Sequence, residues 1–169
     1  MDDPLSFDNE RMVHLDRGTY HWVSVKRFRI TADHQAPELL AALVHHPQYR
    51  DNYAGGGPDD QSSPNLHGPY LLDRIHPDTF TRIAPSAAQD LLRQWATRAC
   101  GTVSSAVQSD LDHWVYSTLP GSTVFELPNM RPDAEHDWGW VVGAINGFHE
   151  LVTVNRSSRV LTLIVASDD

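Results

Sequence analysis

The chain has 169 residues, with hydrophobic residues at 40%, charged residues at 21% and a formal net charge of −9 with histidines counted neutral. That composition excludes an intrinsically disordered chain, and the acidic balance argues against a general nucleic-acid binder, which a phosphate backbone would repel. The single cysteine rules out an intramolecular disulfide, and the ten histidines would bring the net charge toward zero below about pH 6.

The length suits one globular domain over 1–169. Residues 1–18 are polar and read as a loosely held segment, in which Met12, Val13 and Leu15 offer at most a short strand. This N-terminus is acidic and has no apolar stretch of the signal-peptide kind. No run of 18 apolar residues suggests a membrane span, so a soluble, cytoplasmic protein is expected. The heavy use of Ala, Arg, Asp and His with few Lys fits a GC-rich bacterial source.

Residues 19–31, TYHWVSVKRFRIT, are aromatic and β-branched and predict a strand. Its Lys26, Arg27 and Arg29 form the one locally basic segment, either a solvated strand face or an anion-facing edge. PELLAALVHH, 37–46, predicts a helix, with Pro37 in the first turn and His45 and His46 at the negative end. Pro47 stops it and opens a short turn, PQYRDNY. The stretch 53–70, with three consecutive glycines and three prolines, has no periodicity. A connection of that length inside a compact domain is usually functional or disordered.

A helical turn is expected near 78–83, with Asp78 as cap. Helices follow at 86–99 and 103–118, the first entered by a Ser86-x-x-Gln89 capping box and closed by Gly101. TVFELP, 123–128, predicts a strand. The segment 138–166 predicts a three-stranded meander, because Asn146-Gly147 between two apolar runs is a strong hairpin signal. If Asn155 to Ser158 form the second turn, Glu150 faces Leu163 and His149 faces Ile164. The expected fold is therefore α+β: an antiparallel sheet containing this meander and the 19–31 strand, with about three helices packed on one face.

Within the meander, strand alternation puts Glu150 on the same face as Phe148, Val152, Val154, Leu161, Leu163 and Val165. A carboxylate there has three fates: it stays wet at an edge, it is paired, or it is desolvated so that it holds its proton near neutral pH. The last suits a general acid or base. Glu150 is thus the first candidate catalytic residue, with His149 and His67 assisting. Asp59 and Asp60 in the loop, with Tyr70 and Trp140, are candidate ligand contacts.

The sequence carries no HExxH, CxxC, P-loop, GxGxxG or GxSxG motif, so neither a metal site nor a metal or redox cofactor is expected. The leading expectation is a pocket for a small-molecule ligand, closed by the 53–70 loop, with cofactor-independent proton transfer of cyclase, lyase or isomerase type. The alternative is an acidic, non-catalytic interaction protein of inhibitor or immunity type that binds a basic protein partner. Neither involves nucleic acid or a membrane.

Overall fold

A computed structural model of the chain describes residues 2–16, 20–53, 57–59, 65–130 and 147–168. In chain order it contains strands β1 (Leu5–His14) and β2 (His21–Ile30), helix α1 (Ala36–His45) and the two-residue strands β3 (Leu66–His67) and β4 (Tyr70–Leu71). Then come β5 (Thr81–Ile83), helices α2 (Pro85–Cys100) and α3 (Ser105–Trp114), and strands β6 (Thr123–Leu127), β7 (His149–Asn155) and β8 (Val160–Asp168). Six strands form one antiparallel sheet in the order β1-β2-β8-β7-β6-β5, and β3-β4 is a separate small hairpin. The fold is α+β. Among the described residues no helix is long and apolar enough to cross a membrane.

The helices are divided between the two faces of the sheet rather than gathered on one. On the first face, Leu39, Leu40 and Leu43 of α1 pack with Phe28, Val152, Leu161, Leu163 and Val165. On the second, Leu92 and Trp95 of α2 and Leu111 of α3 pack with Val23, Val25, Leu151 and Ile164. The reason is already present in the strands. β7 reads as buried without break from Glu150 to Val154, and β8 from Leu161 to Asp168. Strands buried on both sides need cover on both sides.

The meander keeps its predicted faces but not its register. Glu150 pairs with Val165 and Asn155 with Val160, so the turn is Arg156 to Arg159. Arg159 takes a left-handed φ of 56° there. The shift from the expected partner Leu163 is two residues, and an even slip leaves every side chain on its own face. The first meander strand, with Asn146 and Trp140, lies outside the described residues.

Two further differences concern the sheet edges. β1 runs ten residues, much longer than the short strand anticipated within 1–18, because backbone pairing with β2 holds even its exposed polar stretch. Only Leu5 and Val13 of β1 are buried. The sequence predicts a helical turn over 78–83; the turn is Pro77–Thr79, and Thr81–Ile83 pair with β6 as strand β5. α2 begins one residue before the expected capping box, with Pro85 in its first turn and no side-chain cap. Gly101 closes it at φ 67°.

Candidate functional site

β2 and β7 both present polar side chains to the first core. Side chains alternate along β2, so Trp22, Ser24, Lys26 and Phe28 share the face that α1 covers. Lys26 is fully buried, although the sequence suggested a solvated or edge-facing role, and β2 is interior to the sheet. On β7, alternation delivers Glu150 to the same face, 1% exposed. Opposite these strands lies the turn that follows Pro47, a short 3₁₀ helix Pro47–Tyr49 continuing to Tyr53.

Glu150 is held by two partners from outside the sheet. The Tyr49 hydroxyl donates to Oε1 at 2.7 Å, and Oε2 lies 2.5 Å from His67 Nε2. His67 comes from β3, at the end of the predicted loop, and its ring stacks on Tyr49 with centroids 3.7 Å apart. Its Nδ1 lies 2.6 Å from the Tyr49 carbonyl oxygen. A carbonyl only accepts, so Nδ1 carries a hydrogen. The contact between Nε2 and Oε2 then needs one proton, held either by an imidazolium or by a carboxylic acid. Burial, reinforced by the Glu150 carboxylate, holds the Tyr49 phenol well above its usual range, so Tyr49 acts as a donor.

The β3-β4 turn makes this placement possible. Gly68 has φ 51°, its N–H donates to the Asp51 carbonyl at 2.8 Å, and a Cβ there would lie 2.4 Å from the Phe148 ring. Only glycine lets the hairpin approach so closely.

Beside this pair is a second one. Lys26 Nζ donates to Asp51 Oδ2 at 2.7 Å and to the Gln48 carbonyl at 2.8 Å. Asp51 Oδ1 accepts the Tyr53 backbone N–H at 2.9 Å. Tyr53 sits at φ 58°, a costly conformation for an aromatic residue. It is held there by stacking on Trp22, centroids 5.3 Å apart, and by Lys26 Nζ 5.1 Å from its ring centre. The Tyr53 hydroxyl is buried without a hydrogen-bond partner among the described residues.

A cleft of about 750 Å³ lies on the outer side of the same two segments. Pro47 and Arg50, which flank Tyr49, line it, as do Asn65 and Leu71, which flank the His67 hairpin. His45, His46 and His76 add three imidazoles. Arg50 donates to the Pro58 carbonyl at 3.1 Å, while its Nε is buried without a partner among the described residues.

His46 ties the cleft to pH. Its Nδ1 accepts the Gln48 N–H at 3.1 Å, which requires that nitrogen bare. Burial holds its imidazole below the usual range, partly opposed by Asp3 and aided by Lys26. The unfolded chain therefore takes up this proton first on acidification, and stability falls as pH drops below about 6.5. Urea unfolding at a series of pH values should show that loss, and His46→Asn, which keeps a short capping acceptor, should flatten it.

Of the residues singled out from sequence, Glu150 and His67 meet. Tyr70 is buried nearby, its ring 5.5 Å from that of Phe148 and its hydroxyl accepting the Met130 N–H at 3.3 Å. His149 is on the opposite face, in a separate cavity of about 360 Å³ with Trp95 and Arg98. Asp59 closes a short 3₁₀ helix, Gly57–Asp59. Asp60 and Trp140 lie outside the described residues. Tyr49, Asp51 and Tyr53 are not among the residues the sequence singles out, and Lys26, expected on a solvated strand face or an anion-facing edge, is buried. The available signal was the density of hydrogen-bonding side chains in PQYRDNY.

The chain matches no protein-family model and no curated protein. Among solved structures, it is similar to a crystal structure of citrus MAF1 at 14% identity, over 91% of this chain and 92% of that one, with a TM-score of 0.40. A likeness of that size carries no argument about function.

Proposed function

We propose that the protein binds a small molecule in the cleft between the end of α1 and the 65–77 segment, with the Glu150–His67 pair as its proton donor or acceptor. The chemistry is that of a cofactor-independent cyclase, lyase or isomerase in a cytoplasmic setting. The observation that carries this reading is the 2.5 Å contact between a sheet carboxylate and a loop imidazole, both buried beside segments that line the cleft. A buried Lys26–Asp51 ion pair beside a buried Glu150–His67 pair is a costly arrangement for stability alone, and such clusters concentrate at functional sites. Arg50, His45 and His76 offer donors to an anionic group on a ligand, with the Asp73 carboxylate lining the same cleft. Reaching Glu150 requires the β3-β4 hairpin to lift, a loop motion of a common kind in enzymes.

The test is a titration of ¹⁵N-labelled protein with a panel of small carboxylates and phosphate esters. Binders should shift the signals of Arg50, His46 and His76, and with them His67. The Glu150→Gln variant should still bind those molecules but should not convert them. A panel that moves none of these signals would count against the reading.

A second reading is favoured by one feature. Both Glu150 oxygens are already engaged, as in a structural polar network. On that reading the protein is an acidic, non-catalytic interaction module for a basic protein partner. Retention of the chain on an immobilised basic partner surface, unaffected by Glu150→Gln, would support it.

A further inference from the structure

On the other face of the sheet, three side chains of metal-binding type converge where β1 ends, β2 begins and α2 stops. Asp16 follows β1, whose hairpin is closed by the Leu15 N–H donating to the His21 carbonyl at 2.9 Å. His21 is the first residue of β2, and Cys100 the last of α2. His21 Nδ1 lies 2.8 Å from Asp16 Oδ2, and Cys100 Sγ lies 3.9 Å from the same oxygen. All three donor atoms fall within 4.8 Å of one another. The Trp95 ring packs edge-on against His21, with centroids 6.4 Å apart, and limits how that ring can turn.

We propose that Asp16, His21 and Cys100 form a site for a divalent transition-metal ion, with Zn(II) the best fit to the donors. Around a four-coordinate zinc ion, nitrogen, oxygen and sulfur donors stand about 3.3–3.5 Å apart. The observed separations of 2.8 and 3.9 Å fall on either side of that value, and all three donor atoms lie within 4.8 Å of one another. A second observation points the same way. Asp16 Oδ1 is enclosed and makes no hydrogen bond among the described residues, and the His21 side chain, followed by the Tyr20 and His21 backbone N–H groups, favours the charged carboxylate that a metal ion requires. The side chains of His21 and Asp16 are 16% and 33% exposed, sheltered but reachable by an ion.

The mixed set of thiolate, imidazole and carboxylate suits a borderline ion such as zinc rather than calcium or magnesium, which take oxygen donors. Binding exchanges the thiol proton for the ion: the S–H bond breaks, a sulfur–metal bond forms and the proton leaves to solvent. His21 binds through Nδ1, so the hydrogen that this nitrogen directs at Asp16 Oδ2 must leave it, passing by way of solvent to Nε2 of the neutral ring. Three protein donors leave a fourth position for water or a ligand. The site lies on the α2 side of the sheet, so its test is independent of the cleft.

The experiment is titration of the chelator-treated full chain with Co(II), followed by displacement with Zn(II). The expected result is a 1:1 complex with the visible absorption of four-coordinate cobalt and a near-ultraviolet thiolate-to-cobalt band. The chain has one cysteine, so that band reports Cys100 alone. Cys100→Ser should abolish it, and Asp16→Asn and His21→Gln should each weaken binding roughly tenfold or more. Zn(II) should also slow alkylation of Cys100 in the unaltered protein, a readout that needs no variant to fold. Absence of the band, an unchanged alkylation rate, or unchanged affinity in both Asp16→Asn and His21→Gln would overturn the proposal.

Discussion

Glu150→Ala will lower the free energy of unfolding by about 3–5 kcal/mol, the usual cost of removing one partner from a buried charged pair. The loss has identifiable parts. The Tyr49 hydroxyl loses its acceptor, His67 Nε2 loses its partner, and a void opens beneath Val165 on the neighbouring strand. In a chain of this size the change should lower the melting midpoint by roughly 6–20 °C. Glu150→Gln behaves differently. Its amide oxygen accepts from Tyr49, and its amide nitrogen donates to a bare His67 Nε2 while Nδ1–H stays on the Tyr49 carbonyl. Every hydrogen bond is kept, and the cost should be under about 1.5 kcal/mol. Urea unfolding of the two variants side by side checks this. Equal losses would mean that charge, not hydrogen bonding, holds the group in place.

Lys26→Met is expected to cost a similar amount, about 3–5 kcal/mol, because it strands the buried Asp51 carboxylate and the Gln48 carbonyl. Its consequences should reach further along the chain. Asp51 anchors the Tyr53 backbone through Oδ1, and its own carbonyl accepts from Gly68 in the His67 hairpin. Freed of its cation, Asp51 should seek water and loosen both, so hydrogen exchange at Tyr53 and Gly68 should quicken. Adding Asp51→Asn to Lys26→Met should restore part of the loss, since no unpaired charge then remains buried. A double-mutant cycle in urea measures that recovery. No recovery would mean that Lys26 acts by filling space rather than by pairing.

Much of the fold was legible because local signals agreed with the tertiary result. Pro37 and His45 marked the two ends of α1, Gly101 closed α2, and the aromatic and β-branched run around Trp22 and Phe28 was a strand. What was not legible depended on partners distant in sequence. β1 exists because β2 pairs with it, and its mostly polar residues give no strand period of their own. The register of β8 depended on a turn whose αL position is Arg159 rather than glycine, so no turn residue marked it. The placing of helices on both faces follows from strands β7 and β8 that are buried on both sides, where Thr153, Thr162 and Ser167 among the apolar residues give one face a mixed look in the sequence.

The site was half legible. Glu150 stood out as a carboxylate in an apolar strand, and His67 as an imidazole in a glycine- and proline-rich loop. Their contact spans 83 residues and depends on the Gly68 turn, which composition alone cannot orient. Lys26 was hidden because a lysine beside Arg27 and Arg29 looks like part of a solvated face. Alternation in fact separates them: Arg27 turns to the other face, where its guanidinium stands 4.9 Å from the Trp114 ring centre, while Lys26 turns inward.

The most direct test of the shared proton is the ¹⁵N spectrum of the His67 imidazole across pH, in the unaltered chain and in Glu150→Gln. The account predicts a hydrogen on Nδ1, directed at the Tyr49 carbonyl. It predicts that Nε2 and the Glu150 carboxyl share one proton in the unaltered chain, and that Nε2 is bare in Glu150→Gln. A bare Nδ1, or a Nε2 signal that Glu150→Gln leaves unchanged, would contradict the shared proton and with it the proposed acid–base role.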